Sequence, residues 1–148
     1  MNKIFINIAA YKDPDLVNTI NDAFTKAKYP KRVYIGISEQ TKKPANFLNN
    51  ISNVRYKFTP YTFGKGTGYH RNEIYKELYE GEDFCLTVDS HCRFKKNWDE
   101  LYINALLSRG ENVVLTGFPP NFDFDEDYDY YTKERPYNTY NVISYLTN

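Results

Sequence analysis

Asp89-Ser90-His91 stands at the end of an alternating run, Phe84-Cys85-Leu86-Thr87-Val88. In an extended chain, residues i and i+2 project to the same side. Asp89 and His91 would then share one target. A carboxylate and an imidazole that converge can hold a divalent cation and leave positions open for water or phosphate. The mixed oxygen and nitrogen set suits Mn²⁺ better than Mg²⁺, which prefers oxygen and keeps its waters. A turn-capping Asp beside an exposed His is the plainer alternative, and spacing alone leaves both open. Arg71 is the second candidate. It falls near the start of an expected helix, where backbone N–H groups and the helix dipole favour an anion. A guanidinium there can grip a phosphate bidentately, although an ordinary surface arginine fits the position as well.

Other patterns carry less. Gly64-Lys65-Gly66-Thr67-Gly68 lacks the residue order of a P-loop and the position of a Rossmann fingerprint, so it reads as a flexible turn. Cys85 and Cys92 are not at a zinc-site spacing. Cys85 reads as strand packing, and Cys92 receives no role. With His70 and His91 the sole histidines, a nucleophilic triad has no support.

The elements that must position these residues follow from periodicity. Ile4, Ile6 and Ile8 mark a first strand over residues 3–10. Asp13-Pro14-Asp15 opens a helix with an acidic cap and a proline at its first position, and Pro30 stops it. Val33, Ile35 and Ile37 form a second strand that ends near Ser38-Glu39-Gln40. Val54, Tyr56 and Phe58 form a third, closed by Pro60. A helix is expected from Tyr69 to Glu80, with Gly81 as its stop. A fourth strand ends at Asp89, and a helix capped by Asn97 runs to Gly110. Val113-Val114-Leu115 reads as a fifth strand closed by Pro119-Pro120, and Asn141 to Leu146 as one more. Strands alternating with amphipathic helices predict an α/β fold, a mainly parallel sheet with helices on its faces. Ligands of such sheets bind at the carboxyl ends of the strands. That places Tyr11, Lys12 and Asp13, then Glu39 and Gln40, then the glycine-rich loop after the third strand, then Asp89 to His91 around one rim.

The chain has 148 residues, enough for one domain. Hydrophobic residues at 41% and charged residues at 26% are a globular balance. Nineteen Lys and Arg offset 19 Asp and Glu, which argues against a broad nucleic-acid surface. No apolar stretch approaches the ~20 residues of a membrane helix. The N-terminus runs into a strand pattern and does not read as a secretory signal. Two cysteines are too few for a disulfide framework, so a reducing, cytoplasmic setting is expected. Fifteen Tyr and ten Phe fit a coding bias, and Tyr can also stack on sugars and bases.

Several blocks, in order across residues 3–120, resemble a known family. Ile4-Phe5-Ile6-Asn7-Ile8-Ala9-Ala10-Tyr11-Lys12-Asp13-Pro14-Asp15 is similar to the opening of the cytoplasmic polypeptide (hydroxyproline) N-acetylglucosaminyltransferases. Leu78 to Phe84, Val88-Asp89-Ser90-His91-Cys92-Arg93-Phe94 and Asn97-Trp98-Asp99 resemble its central block. Val114-Leu115-Thr116-Gly117-Phe118-Pro119-Pro120 resembles its next strand. The Asp-Ser-His-Cys run is shared with the mucin-type polypeptide N-acetylgalactosaminyltransferases.

The resemblance implies a GT-A glycosyltransferase fold, a UDP-sugar donor such as UDP-GlcNAc, Mn²⁺ or another divalent cation, and a protein or glycan acceptor. It casts Asp89 and His91 as metal ligands and Arg71 as a contact to the diphosphate or donor sugar. Ala10, Tyr11 and Asp13 match the loop that faces the nucleotide, and Glu39 and Gln40 match the second-strand exit. Transfer with retention is implied, and no protein nucleophile is identified. The chain is expected to be a GT-A core at 1–120 with an acidic, tyrosine-rich segment of the same domain at 121–148. It is shorter than members of that family, in which the later region supplies acceptor contacts and a further metal ligand, commonly His. None follows His91 here. A non-catalytic UDP-sugar-binding domain or an incomplete transferase is therefore the alternative.

Overall fold

A computed structural model describes residues 1–110, 113–117 and 141–143. The chain divides into two compact units, Met1–Glu100 and Leu101–Asn148. The expected acidic segment at 121–148 and the Pro119-Pro120 turn lie outside the described residues, apart from a strand at 141–143.

The first unit holds a four-stranded parallel sheet in the order β3-β2-β1-β4. Its strands are β1 (Ile4–Tyr11), β2 (Val33–Thr41), β3 (Val54–Pro60) and β4 (Phe84–Asp89). Helix α1 (Leu16–Lys26) joins β1 to β2, and helix α2 (Thr67–Glu77) joins β3 to β4. Helix α3 (Trp98–Leu107) follows β4.

Parallel strands covered on both faces read as continuous apolar runs. Ile4, Phe5, Ile6, Ile8 and Ala10 of β1 and Val33, Ile35 and Ile37 of β2 are fully buried. Asn7 interrupts that run and is equally buried. Its Nδ2 donates to the Arg71 carbonyl at 2.9 Å, which ties β1 to α2. Phe5, on the same face, packs its ring against Tyr79 at 5.5 Å between centroids. Gly36 makes room for this. A Cβ there would lie 2.8 Å from Ile74 Cγ2 and closer still to Phe5 Cζ. From β3, Lys57 Nζ reaches Glu73 at 3.1 Å and Glu77 at 2.6 Å, which holds α2 against the sheet edge.

Helix boundaries shift by two or three residues from the sequence reading. α1 begins at Leu16 instead of at Pro14, because the Asp13 carboxylate accepts the Asp15 N–H at 2.9 Å and makes a turn ahead of the helix. Pro30 opens a short 3₁₀ turn, Pro30–Arg32, after α1 has already ended. Gly66, at φ +86°, turns the chain into α2.

In the second unit, β5 (Val114–Thr116) pairs antiparallel with β6 (Asn141–Ile143) in a two-stranded sheet of its own. The expected fifth strand and the strand expected from Asn141 thus pair with each other, apart from the parallel sheet. Val114 is 63% exposed, and a three-residue strand so exposed lacks the two-sided burial that parallel pairing demands.

Candidate metal and nucleotide site

The strand order reverses between β1 and β4. The chain lays β1, β2 and β3 outward in one direction, then returns to place β4 on the far side of β1. In open α/β sheets the crevice at such a switch point, beyond the carboxyl ends of the strands, is where ligands bind. Ala9 is in register with Asp89, Ala10 with Glu39 and Tyr11 with Gln40. The sequence-derived candidates therefore share one rim, with Asp13 from the β1 side and Asp89 to His91 from the β4 side.

β4 ends at Asp89, and residues 90 and 91 bend. The expectation of an extended chain through His91 is not met. Ser90 and His91, which would point to opposite sides of an extended strand, both turn onto Asp13. Ser90 Oγ donates to Asp13 Oδ2 at 2.5 Å, and His91 Nδ1 lies 2.7 Å from the same oxygen. The physical reason is the acceptor: a carboxylate with 13% exposure needs donors, and the bend delivers two. Burial acts to raise the Asp13 pKa, and the hydrogen bonds from Ser90, His91 and the Asp15 N–H outweigh it, so the carboxyl sits below its usual range.

Asp89 has a different partner. Its Oδ1 accepts Arg71 Nη2 at 2.8 Å, and its side chain is 63% exposed. Arg71 lies in the second turn of α2, and its buried Nε has no hydrogen-bond partner among the described residues. Asp89 Oδ2 and His91 Nε2 likewise make no hydrogen bond to the described residues.

The remaining predicted residues frame the rim. Tyr11 is 55% exposed. Gln40, 3% exposed, turns its Nε2 back to the Ala10 carbonyl at 3.5 Å. Glu39 Oε2 accepts the Tyr56 hydroxyl at 2.5 Å and the Ala45 N–H at 3.3 Å. Burial, then the hydrogen bond to Glu39, pushes the Tyr56 phenol above its ordinary pKa. Glu39 and Gln40 therefore brace the end of β2 with side chains already engaged.

Sequence reasoning placed Lys12 at the rim but did not find Arg93, Asp15 or Thr19 as contributors. Arg93 makes a bidentate pair with Asp15, at 2.6 and 2.8 Å, and both are nearly buried. Burial of Asp15 works to raise its pKa, but the hydrogen bonds from Arg93 and Asn18 bring it below the normal value. Thr19 Oγ1, on α1, donates to the Ser90 carbonyl at 2.8 Å and accepts the Cys92 N–H at 2.9 Å. Lys12, at φ +50°, stacks its ammonium 3.7 Å from the centroid of Tyr61. These side chains lie far apart in sequence, and no spacing rule joins them.

No group of three or more His, Cys, Asp and Glu side chains that could hold a metal occurs among the described residues. Asp89 and His91 are a partial set, one carboxylate and one imidazole, each with an atom that makes no hydrogen bond to the described residues. That donor chemistry fits a divalent cation completed by water or by a bound phosphate. A cavity of about 260 Å³, lined by Lys57, Phe63, Tyr69 and His70 among others, includes neither residue. No helix among the described residues is long and apolar enough to cross a membrane.

A parallel sheet in the order β3-β2-β1-β4 with a switch-point rim of this kind defines a Rossmann-like α/β fold. A sequence profile of the family Glycosyltransferase (GlcNAc) matches residues 3–51 and 42–142, and the chain belongs to that family. Among solved structures it is similar to that of S. aureus TarS 1–349, with a TM-score of 0.56 and 17% sequence identity. The match covers 80% of this chain and 38% of the TarS chain, and at that identity it speaks to the fold. No match was found among curated protein sequences.

Proposed function

We propose that this chain binds UDP-GlcNAc together with Mn²⁺ and serves the transfer of N-acetylglucosamine, with retention, to a hydroxyl group of a protein acceptor. The observation that supports the reading is that Asp89 Oδ2 and His91 Nε2, at the switch point of a GlcNAc glycosyltransferase family member, make no hydrogen bond to the described residues. Asp89 and His91 would hold the cation. A divalent cation, when bound, supplies positive charge against the negative charge left on UDP as the sugar–phosphate bond breaks.

Arg71 adds a fixed positive charge beside Asp89 and has a guanidinium donor still to satisfy. It is suited to a diphosphate oxygen. Tyr11 offers an exposed ring for stacking on a base, and Ala10, with no side chain beyond Cβ, leaves the first-strand exit open. Asp13, Glu39 and Gln40 shape the rim through the hydrogen bonds they already make.

The chain spans 38% of the TarS chain it matches. A narrower form of the reading makes these residues the donor-binding part of a transferase. Thermal melting with UDP-GlcNAc, with and without Mn²⁺, tests the proposal. A donor at ~100 times its dissociation constant stabilises by ~2.7 kcal/mol. The shift is expected only with Mn²⁺ present and is expected to vanish in Asp89→Asn. A wild-type melting point that ignores saturating donor and metal would overturn it. Donor binding without transfer or hydrolysis under any acceptor supply selects the narrower form.

A further inference from the structure

We infer that Asp13 is a positioning residue that fixes the tautomer and orientation of His91, so that the Nε2 lone pair is the one offered to a cation. The inference rests on the metal reading above and assigns a role to a residue outside the ligand pair.

The geometry is specific. Asp13 Oδ2 receives both Ser90 Oγ, at 2.5 Å, and His91 Nδ1, at 2.7 Å, while Oδ1 receives the Asp15 N–H at 2.9 Å. An ionised carboxylate can only accept hydrogen bonds, so the atom facing it, Nδ1, must carry the imidazole proton. Neutral His91 is then forced into the Nδ1–H form, with its lone pair on Nε2. A neutral imidazole free in water favours the opposite tautomer, so the carboxylate changes which nitrogen can bind a metal. Ligating histidines commonly donate their second N–H to such a partner, which orients the ring and raises its basicity.

The carboxylate is itself held. The Asp15 N–H pins one oxygen, and Thr19 anchors the backbone on both sides of His91 through the Ser90 carbonyl and the Cys92 N–H. A His91 ring that is 56% exposed has no packed wall to orient it, so these hydrogen bonds must do so.

Asp13→Asn is the informative variant. Its amide oxygen can keep the Asp15 N–H, which leaves the NH₂ facing His91 Nδ1. An NH₂ donates where the carboxylate accepted, so the proton moves to Nε2 and the lone pair turns inward. ¹⁵N chemical shifts of the His91 ring, read on the metal-free full chain at a pH where it is neutral, should report Nδ1–H in the wild type and Nε2–H in Asp13→Asn. Mn²⁺ alone, titrated with detection of the free ion by electron paramagnetic resonance, should bind about 10- to 100-fold more weakly to the variant. If Asp13→Asn does not fold, Ser90→Ala leaves the His91 contact in place and should retain the Nδ1–H form, and Asp13→Glu should weaken Mn²⁺ by displacing the acceptor. An Nε2–H wild type overturns the inference. So does Mn²⁺ binding that is lost in Asp89→Asn yet unchanged in Asp13→Asn, an outcome that leaves the metal reading standing. A wild type that takes up no Mn²⁺ fails the metal reading itself, and with it the role of Asp13, whatever the tautomer.

Discussion

Asp99 and Asp89 each accept a hydrogen bond from an arginine at 2.8 Å, Arg32 for the first and Arg71 for the second. Asp99 is fully buried. Its two oxygens also receive the Lys28 N–H at 2.7 Å and the Tyr29 N–H at 3.1 Å. Asp89 is 63% exposed and leaves Oδ2 unused among the described residues. The first arrangement closes every acceptor and joins α3 to the turn after α1. The second leaves capacity facing outward at the sheet's carboxyl rim. Pairing with an arginine therefore says little about function by itself; the acceptor left over is what separates a structural aspartate from a ligand.

The contrast has measurable consequences. Asp99→Ala strands a buried guanidinium and two backbone donors, and should cost about 3–5 kcal/mol in chemical denaturation. The same pair has a pH signature. Burial of Asp99 acts to raise its pKa, but the Lys28 N–H, Arg32 and the Tyr29 N–H outweigh it, so the folded pKa lies below the unfolded value of 3.8. Its stabilisation is thus complete above the unfolded pKa and is lost as pH falls through the folded one. Asp99→Asn should flatten the acid limb of the stability curve below about pH 4. Tyr56→Phe removes one donor from Glu39 but leaves the Ala45 N–H, so about 1–2 kcal/mol is expected by the same denaturation assay. Asp89→Asn should change stability least, by under about 1 kcal/mol, because its ion pair is exposed. Yet it should eliminate the Mn²⁺-dependent donor shift. A large stability loss in Asp89→Asn would place it with Asp99 as a structural residue.

β1 and β2 were legible because burial on both faces writes itself as Ile-rich runs, and β3 and β4 because apolar residues recur at alternate positions; all four fall within a residue or two of their periodicity. β5 was legible as a strand to within a residue, but its antiparallel pairing with β6 was not, since three apolar residues look the same in a parallel and in an antiparallel strand. At the site, the sequence could place Asp13 and Asp89 at one rim, because strand exits share an edge. It could not show that Asp13 turns to Ser90 and His91, or that Arg71 pairs with Asp89. The contacts to Asp13 depend on a bend after β4, and the bend is set by an acceptor 77 positions from Ser90 in the chain. Arg93 was invisible for the same reason, being paired with Asp15 across 78 positions.

Gly36 carries a consequence for chemistry it never touches. Lacking a side chain, it lets the Phe5 ring and Ile74 settle together beneath α2, and so determines how low that helix rides over the strands. Arg71 is borne on the same helix, three residues from Ile74. The reach of its guanidinium toward Asp89 is therefore a matter of vertical clearance in the apolar interior, and a methyl group at position 36 would act on the charged rim as a shim acts under a lever.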